Sequence, residues 1–216
     1  MSVVCPTLLA ETPDDYAAQV ERLTPFAERV HIDLADGDFA PTQSVRPSEI
    51  SWPQNWLADI HVMYRQPQAI LAELVAKKPN LIILHAEAEG DVATMLAQIK
   101  QAGIKAGIAL LKSTVADTIQ PLIMAANHVL VFSGDLGHFG GTADMLQIEK
   151  VRRVRTLNPQ VEISWDGGAN LTNVYTLSLG GVKVINAGAA ISQAEAPAEA
   201  YKKLVEEANS VAKGMV

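Results

Sequence analysis

The chain predicts an α/β fold, a closed (β/α)8 TIM barrel, and three observations carry that expectation. Eight short runs dense in Val, Ile and Leu alternate with segments whose apolar residues recur at helical spacing. The runs are apolar throughout rather than at every second residue, the pattern of strands buried on both faces of a parallel sheet. No Gly-x-Gly-x-x-Gly follows the first run, which disfavours an open doubly wound sheet, and eight β/α units suit closure.

Taken in order, the strands fall near Val3 to Leu9, Val30 to Leu34, Ala58 to Met63, Leu81 to His85, Ala106 to Leu111, His128 to Phe132, Glu162 to Trp165 and Val182 to Ala187. Tyr16, Val20 and Leu23 mark the first helix, Val92, Met95, Leu96 and Ile99 a central one, and Tyr201, Leu204, Val205 and Ala208 the last. Strand and helix are expected to alternate throughout. Gly103 ends a helix before KAGIAL, and Gly180 and Gly181 precede VKVINAG; Pro79 and Pro159 sit in the turns before LIIL and VEIS.

A length of 216 residues fits one domain, 1–216, with little room for a second. The 17 basic and 24 acidic side chains give a net charge of −7 with the basic ones scattered. That argues against a nucleic-acid partner while leaving room for a small anion held locally. No run approaches the roughly 20 apolar residues of a membrane span, and MSVVCPTLLA lacks the basic start of a secretory signal. A cytoplasmic protein with no membrane partner is expected. Cys5 is the single cysteine, so any metal must be held by His and carboxylates.

In such a barrel the chemistry lies at the C-terminal ends of the strands. Three strands end in ionisable residues, in VHIDLADG, ADIHVMY and EISWDGG. Because side chains alternate, His31 and Asp33 share one face while Ile32 and Leu34 take the other. An inward carboxylate and imidazole are costly to bury unless paired or bound to a cation, and His61 and Asp166 converge with them from two further strands. Two imidazoles and two carboxylates form a shell for one divalent ion, Zn²⁺, Fe²⁺, Mn²⁺ or Co²⁺ in preference to Mg²⁺ or Ca²⁺. The competing reading is a self-contained His-Asp network that merely fixes the barrel. It is the better reading for any one of these residues alone, and the weaker one for four of them at three strand ends.

A second constellation follows strands seven and eight, in DGGAN and INAGAAIS, where barrels commonly place a phosphate. Gly167, Gly168 and Gly188 let backbone N–H groups approach an anion, and Asn170 is a candidate cap for the next helix. SGDLGHFGGT, with Gly134, Gly137, Gly140, Gly141 and the solitary His138, reads as a mobile lid or a passive connection. His85 either lines the pocket or packs, and His128 begins its strand at the opposite end; neither is assigned to catalysis. Met63 either sets a thioether over the metal or fills the interior, with packing the default. Trp165 points away from Asp166 and is expected among the helices.

At these residues the sequence resembles the ribulose-phosphate 3-epimerase family. The family's His-x-Asp-x-x-Asp-Gly, His-x-Met, Gly-Phe-Gly-Gly and Asp-Gly-Gly stand here, in order, as HIDLADG, HVM, HFGG and DGG, within a match running from Pro6 to Ile191. The resemblance implies a barrel of the ribulose-phosphate-binding type, with one divalent ion, Zn²⁺ first, on His31, Asp33, His61 and Asp166. It also implies a phosphorylated ketose as substrate, a homo-oligomer, and substrate contacts from Thr7, His61, Met63, Gly140, Gly141, Gly167, Gly168, Gly188 and Ala189. There are departures. The family's Met-Asp-Gly-His-Phe-Val-Pro-Asn is Ala35, Asp36, Gly37, Asp38, Phe39, Ala40, Pro41, Thr42 here. The lid is one residue longer, runs from Leu136 through His138 and ends in Thr142 rather than Gln, and the family's Gly-Ser after strand eight is Gly188-Ala189.

Inverting a carbon beside a ketone means removing a weakly acidic proton from one face and returning one to the other. Asp33 and Asp166 are the acid/base candidates, approaching from separated strands, with the metal stabilising the enediolate. The expected reaction takes D-ribulose 5-phosphate to D-xylulose 5-phosphate. Its rivals are 3-epimerisation of another ketose phosphate, such as a hexulose 6-phosphate, and a non-catalytic barrel that binds a phosphorylated metabolite. Barrels that decarboxylate or condense sugar phosphates use an Asp-x-Lys-x-x-Asp signature, and Leu34 and Ala35 occupy that region without a lysine.

Overall fold

The computed structural model describes residues 1–138 and 140–210. Strands β1 (Val3–Leu8), β2 (Arg29–Ala35), β3 (Leu57–Met63), β4 (Leu81–His85), β5 (Lys105–Leu110), β6 (His128–Phe132), β7 (Glu162–Asp166) and β8 (Val184–Ala187) close in chain order into a parallel barrel. Around it run helices α1 (Pro13–Leu23), α2 (Gln68–Ala76), α3 (Val92–Gln101), α4 (Gln120–Ala125), α5 (Ile148–Leu157), α6 (Val174–Leu179), α7 (Ala189–Ser192) and α8 (Pro197–Ala208).

Local chemistry explains the boundaries. Thr12 caps α1 by accepting from the Asp15 N–H, Pro13 opens the helix, and Asp14 and Asp15 complement the positive end of its dipole. At the end of α3, Gly103 takes φ 78° while its N–H reaches the Lys100 carbonyl and Ile104 reaches back to Ile99. Gly181 repeats this at the end of α6, at φ 97°, with Val182 bonded to Leu177. Both are Schellman endings, in which only glycine adopts the left-handed backbone without strain.

Strict alternation fails once. Between β2 and β3 the chain forms no α-helix, only a single 3-10 turn at Pro47–Glu49. Pro41, Pro47 and Pro53 divide this stretch, and each removes an N–H and blocks the preceding helical turn. What the stretch provides instead is a loop over the C-terminal end of the barrel, tied down by Ser44, whose hydroxyl accepts from the Ala35 N–H at 2.9 Å.

Two apolar layers result. Outward strand residues such as Ile32, Leu34, Ile60 and Trp165 pack against the helices. Trp165 is fully buried there, and its indole N–H donates to the Gly167 carbonyl at 3.0 Å. Inside the barrel, Leu81, Ile83, Ala109, Leu130 and Phe132 fill the β4 to β6 side. Gly107 is required here, because a Cβ would press on Ile83 and Leu81 at 3.0 and 3.2 Å. The rest of the interior, on β1 to β3, β7 and β8, carries buried polar residues. His85 of β4 and His128 of β6 are buried polar residues beside the oily side, and the candidate chemistry lies with the polar groups at the C-terminal end.

Candidate active site

The register brings the sequence-predicted residues together. His31 lies level with Thr7 on β1, and Asp33 level with His61 on β3. Asp166 ends β7. One ligand atom from each of His31, Asp33, His61 and Asp166 lies within 4.8 Å of the others, and all four residues are buried. Asp33 Oδ1 stands 2.8 Å from His61 Nδ1 and 3.2 Å from His31 Nε2, while Asp166 Oδ2 is 3.7 and 3.8 Å from the same two nitrogens.

The environment separates the two carboxyls. Burial pushes Asp33 up, but His31 and His61 outweigh it and hold the group well below the usual carboxylate range. Burial and the charge of Asp33 both push Asp166 up. Burial pulls His31 down, yet Asp33 and Asp166 keep it above its ordinary value.

His85, left open between lining and packing, touches the centre. Its Nε2 sits 2.9 Å from His61 Nε2 and its Nδ1 3.2 Å from Glu87 Oε2. Burial drives the His85 ring down to about 4, so it is neutral. Glu87 accepts from the Leu111 N–H at 3.0 Å and from the Thr114 hydroxyl; these bonds and His85 overcome burial and keep it ionised. An ionised Glu87 requires a proton on His85 Nδ1, which leaves His85 Nε2 as an acceptor. His61 then donates from Nε2, and a His61 carrying only that proton turns its Nδ1 lone pair toward Asp33 Oδ1 across 2.8 Å. Two acceptors at that distance repel unless a proton or a metal ion lies between them. This chain of tautomers, with two imidazoles and two carboxylates as donors, fits a divalent ion of the Zn²⁺ type.

The cluster opens into a cavity of about 430 Å³. Thr7, Met63, Gly140, Gly141, Gly167, Gly168, Gly188 and Ala189, the remaining expected contacts, all line it; His61 lies beneath. The lining also includes Phe132, which closes the apolar side, and Asn186, which sequence reading did not single out. Met63 does pack, against Ala35 and Ala40 with Phe39 and Leu136 beside them. The Phe39 ring lies 4.6 Å from that of His85. Phe139 of HFGG lies outside the described residues.

The glycine loops have a second cause. A Cβ on Gly167 would strike the Gly134 backbone, and one on Gly168 would strike the Thr142 and Ala143 backbone. These residues are small because the loops after β6 and β7 cross in contact, and that packing presents their backbones to the cavity. The first of these loops is also latched: the Thr42 hydroxyl donates to the Gly137 carbonyl, and Gly137 packs against Ala40 and Pro41. Thr42, a departure from the family pattern, thus holds the lengthened lid at Gly137.

Asn170 does not cap the following helix. Its side chain accepts from the Thr172 N–H at 2.8 Å and donates to the Gly168 carbonyl at 3.1 Å, closing an Asx turn, and Asn173 takes the cap position of α6. The three residues between Asn170 and α6 leave its amide no helical N–H to accept from, and it braces the glycine loop instead.

A barrel with a buried two-imidazole, two-carboxylate centre below glycine loops defines a class of small-molecule enzyme. Residues 3–192 match the model of the Ribulose-phosphate 3 epimerase family, and the chain belongs to that family. It is 32% identical over 197 residues to a ribulose-phosphate 3-epimerase of Helicobacter pylori, covering 87% of this chain and 89% of that one. It is 30% identical over 210 residues to the cytoplasmic isoform of ribulose-phosphate 3-epimerase of Oryza sativa subsp. japonica, covering 93% and 92%. Among solved structures, 3-hexulose-6-phosphate synthase from Salmonella typhimurium aligns with TM-score 0.69 at 15% identity over 95% of this chain and 98% of that one. Mycobacterium tuberculosis tryptophan synthase aligns with TM-score 0.71 at 14% identity over 96% and 92%. These last two share the fold. The protein is an isomerase, an epimerase acting on carbohydrates. No helix among the described residues is long and apolar enough to cross a membrane.

Proposed function

We propose that the protein inverts carbon 3 of D-ribulose 5-phosphate to give D-xylulose 5-phosphate. The observation that carries this reading is the pair Asp33 and Asp166, in one buried cluster, with proton affinities displaced in opposite directions. Two carboxyls pushed apart in this way are an assigned base and acid. Asp33, ionised, removes the proton from one face of carbon 3. Asp166, which holds its proton more tightly, returns one to the opposite face, and the roles exchange in the reverse direction. Residues His31, Asp33, His61 and Asp166 would hold one divalent ion, Zn²⁺ by donor set with Fe²⁺, Mn²⁺ and Co²⁺ as alternatives, and bound there it would stabilise negative charge on the enediolate oxygens.

The phosphate falls to the backbone N–H groups of Gly140, Gly141, Gly167, Gly168, Gly188 and Ala189, which line the cavity away from the cluster. No lysine or arginine is among the described cavity-lining residues, so the charge is met by backbone dipoles, with His138 the one imidazole on the cavity wall. Thr7 is a substrate contact in this reading, since its buried hydroxyl has no protein partner among the described residues.

The test is NMR of D-ribulose 5-phosphate in deuterated buffer with purified protein and added Zn²⁺ or Fe²⁺. Deuterium entry at carbon 3 together with xylulose 5-phosphate is the expected result. Exchange without product would remove one of the two acid/base assignments. Neither event, beside an active control enzyme, would sink the pentulose reading and leave the hexulose 6-phosphate to be assayed in the same way.

A further inference from the structure

Asn186 on β8 is only 2% exposed, lines the cavity, and has no hydrogen-bond partner for either its Oδ1 or its Nδ2 among the described residues. An amide in this state is expensive, because each buried, unmet donor or acceptor has lost its water without a replacement. Its position explains the cost. β7 pairs with β8 through Ser164 with Val184 and Trp165 with Ile185, and the next step of that register sets Asp166 beside Asn186. On its other side Asn186 is level with Cys5 of β1, a buried thiol that burial keeps protonated and that makes no bond to it. The amide therefore belongs to a residue that lies between Asp166 and Cys5 and lines the ligand cavity.

We infer that Asn186 is a substrate-contacting residue that recognises the ketose head rather than the phosphate. An α-hydroxy ketone offers a carbonyl acceptor and a hydroxyl donor on adjacent carbons, and a carboxamide offers the complementary donor and acceptor at similar spacing. Nδ2–H donates to a head oxygen that gains negative charge as the proton leaves carbon 3, and Oδ1 accepts from a neighbouring hydroxyl. A site built to hydrogen-bond a hydroxyl discriminates by leaving its own polar groups unpaired when the hydroxyl is missing. This inference rests on the epimerase reading above for the identity of the ligand, and on Asn186 alone for the contact.

The experiment compares wild type with Asn186→Leu, which keeps the heavy-atom count and branching and removes both polar atoms, and with Asn186→Ser as a smaller second variant. The readouts are kcat/KM for D-ribulose 5-phosphate, thermal midpoint without ligand, and the rise in that midpoint on adding the sugar phosphate. Expected for Asn186→Leu is a loss of about 10- to 100-fold in kcat/KM with an equal or higher unliganded midpoint, since an unmet buried amide has been removed. A lower midpoint with unchanged kcat/KM would make Asn186 a structural amide and overturn the inference. If Asn186→Leu does not fold, the Ser variant decides by the same two numbers. If the wild type shows no turnover, the epimerase reading fails by itself. The contact is then judged by the ligand-induced rise, which must be smaller in the variants than in the wild type for it to stand.

Discussion

The two ends of the barrel interior are built from the same residue types and behave in opposite ways. At the N-terminal end Arg29 donates from Nε to Asp59 Oδ2 at 2.7 Å and from Nη2 to Glu162 Oε2 at 2.8 Å. His128 bridges Glu162 at 2.8 Å and Ser164 at 2.7 Å, and Asn80 donates to Asp59 at 2.5 Å. Every carboxylate there meets a fixed donor, and a guanidinium supplies the positive charge. At the C-terminal end two carboxyls and two imidazoles converge with no lysine or arginine among them. Their donor atoms all lie within 4.8 Å of one another, and Asn186 has no hydrogen-bond partner among the described residues. One cluster is closed on itself and acts as a plug; the other is a group that could hold a metal ion beside an open cavity. Polar residues inside a barrel signal function only where the protein does not satisfy them itself.

If this contrast is right, perturbing the C-terminal end damages turnover and perturbing the N-terminal end damages stability. The largest effect is expected from dialysis against a strong chelator: turnover lost, then restored by Zn²⁺ or Fe²⁺, as followed by product formation. Activity unchanged by exhaustive chelation, with metal content verified as negligible, would break the comparison. Next, Asp33→Asn or Asp166→Asn lowers kcat by about 10²- to 10⁴-fold. The unliganded Asp166→Asn protein melts no lower than wild type, because ionising a carboxyl whose affinity for protons is raised costs folding free energy. Arg29→Met should do the reverse. Losing the guanidinium leaves Asp59 with Asn80 and Glu162 with His128, and costs about 1–3 kcal/mol by denaturant titration, while kcat in the surviving folded fraction stays near wild type.

Glu87→Gln sharpens the tautomer argument. It weakens the hold on His85 and hence on the proton of His61, and metal affinity by competition with a chromophoric chelator should fall about 10- to 100-fold. The smallest effect is in acid. Burial pushes Glu162 up, but His128 and Arg29 hold it far below the ordinary range of about 4.3. Its contribution is therefore complete above that range and lost as pH falls toward the folded value. Glu162→Gln should flatten the acid limb of a stability-versus-pH curve, and an unchanged limb would show that the plug is not what acid attacks.

Much of the fold was legible in the residues. β4 and β6 have the bounds expected from their apolar runs, and the glycine stops at Gly103 and Gly181 lie where the Schellman endings form. The stretch between β2 and β3 was misjudged because alternation was extended across three prolines that forbid it. Of the candidate site, His31, Asp33, His61 and Asp166 could be chosen from strand parity alone, since a period of two fixes which residues point inward. His85 remained open because its meaning depends on Glu87, two residues on, folding back to its Nδ1. Asn186 gave no signal: an asparagine in VINAG looks like any other polar residue near a strand end.

The sequence by itself determined the architecture, the set of inward ionisable residues and the family, because hydrophobic period, turn residues and motif order are local or sequential properties. Tertiary structure alone decided which polar groups are satisfied and which are left facing the cavity. Satisfaction depends on the register between strands and on loops meeting across the barrel mouth, and both are fixed only when the ring closes.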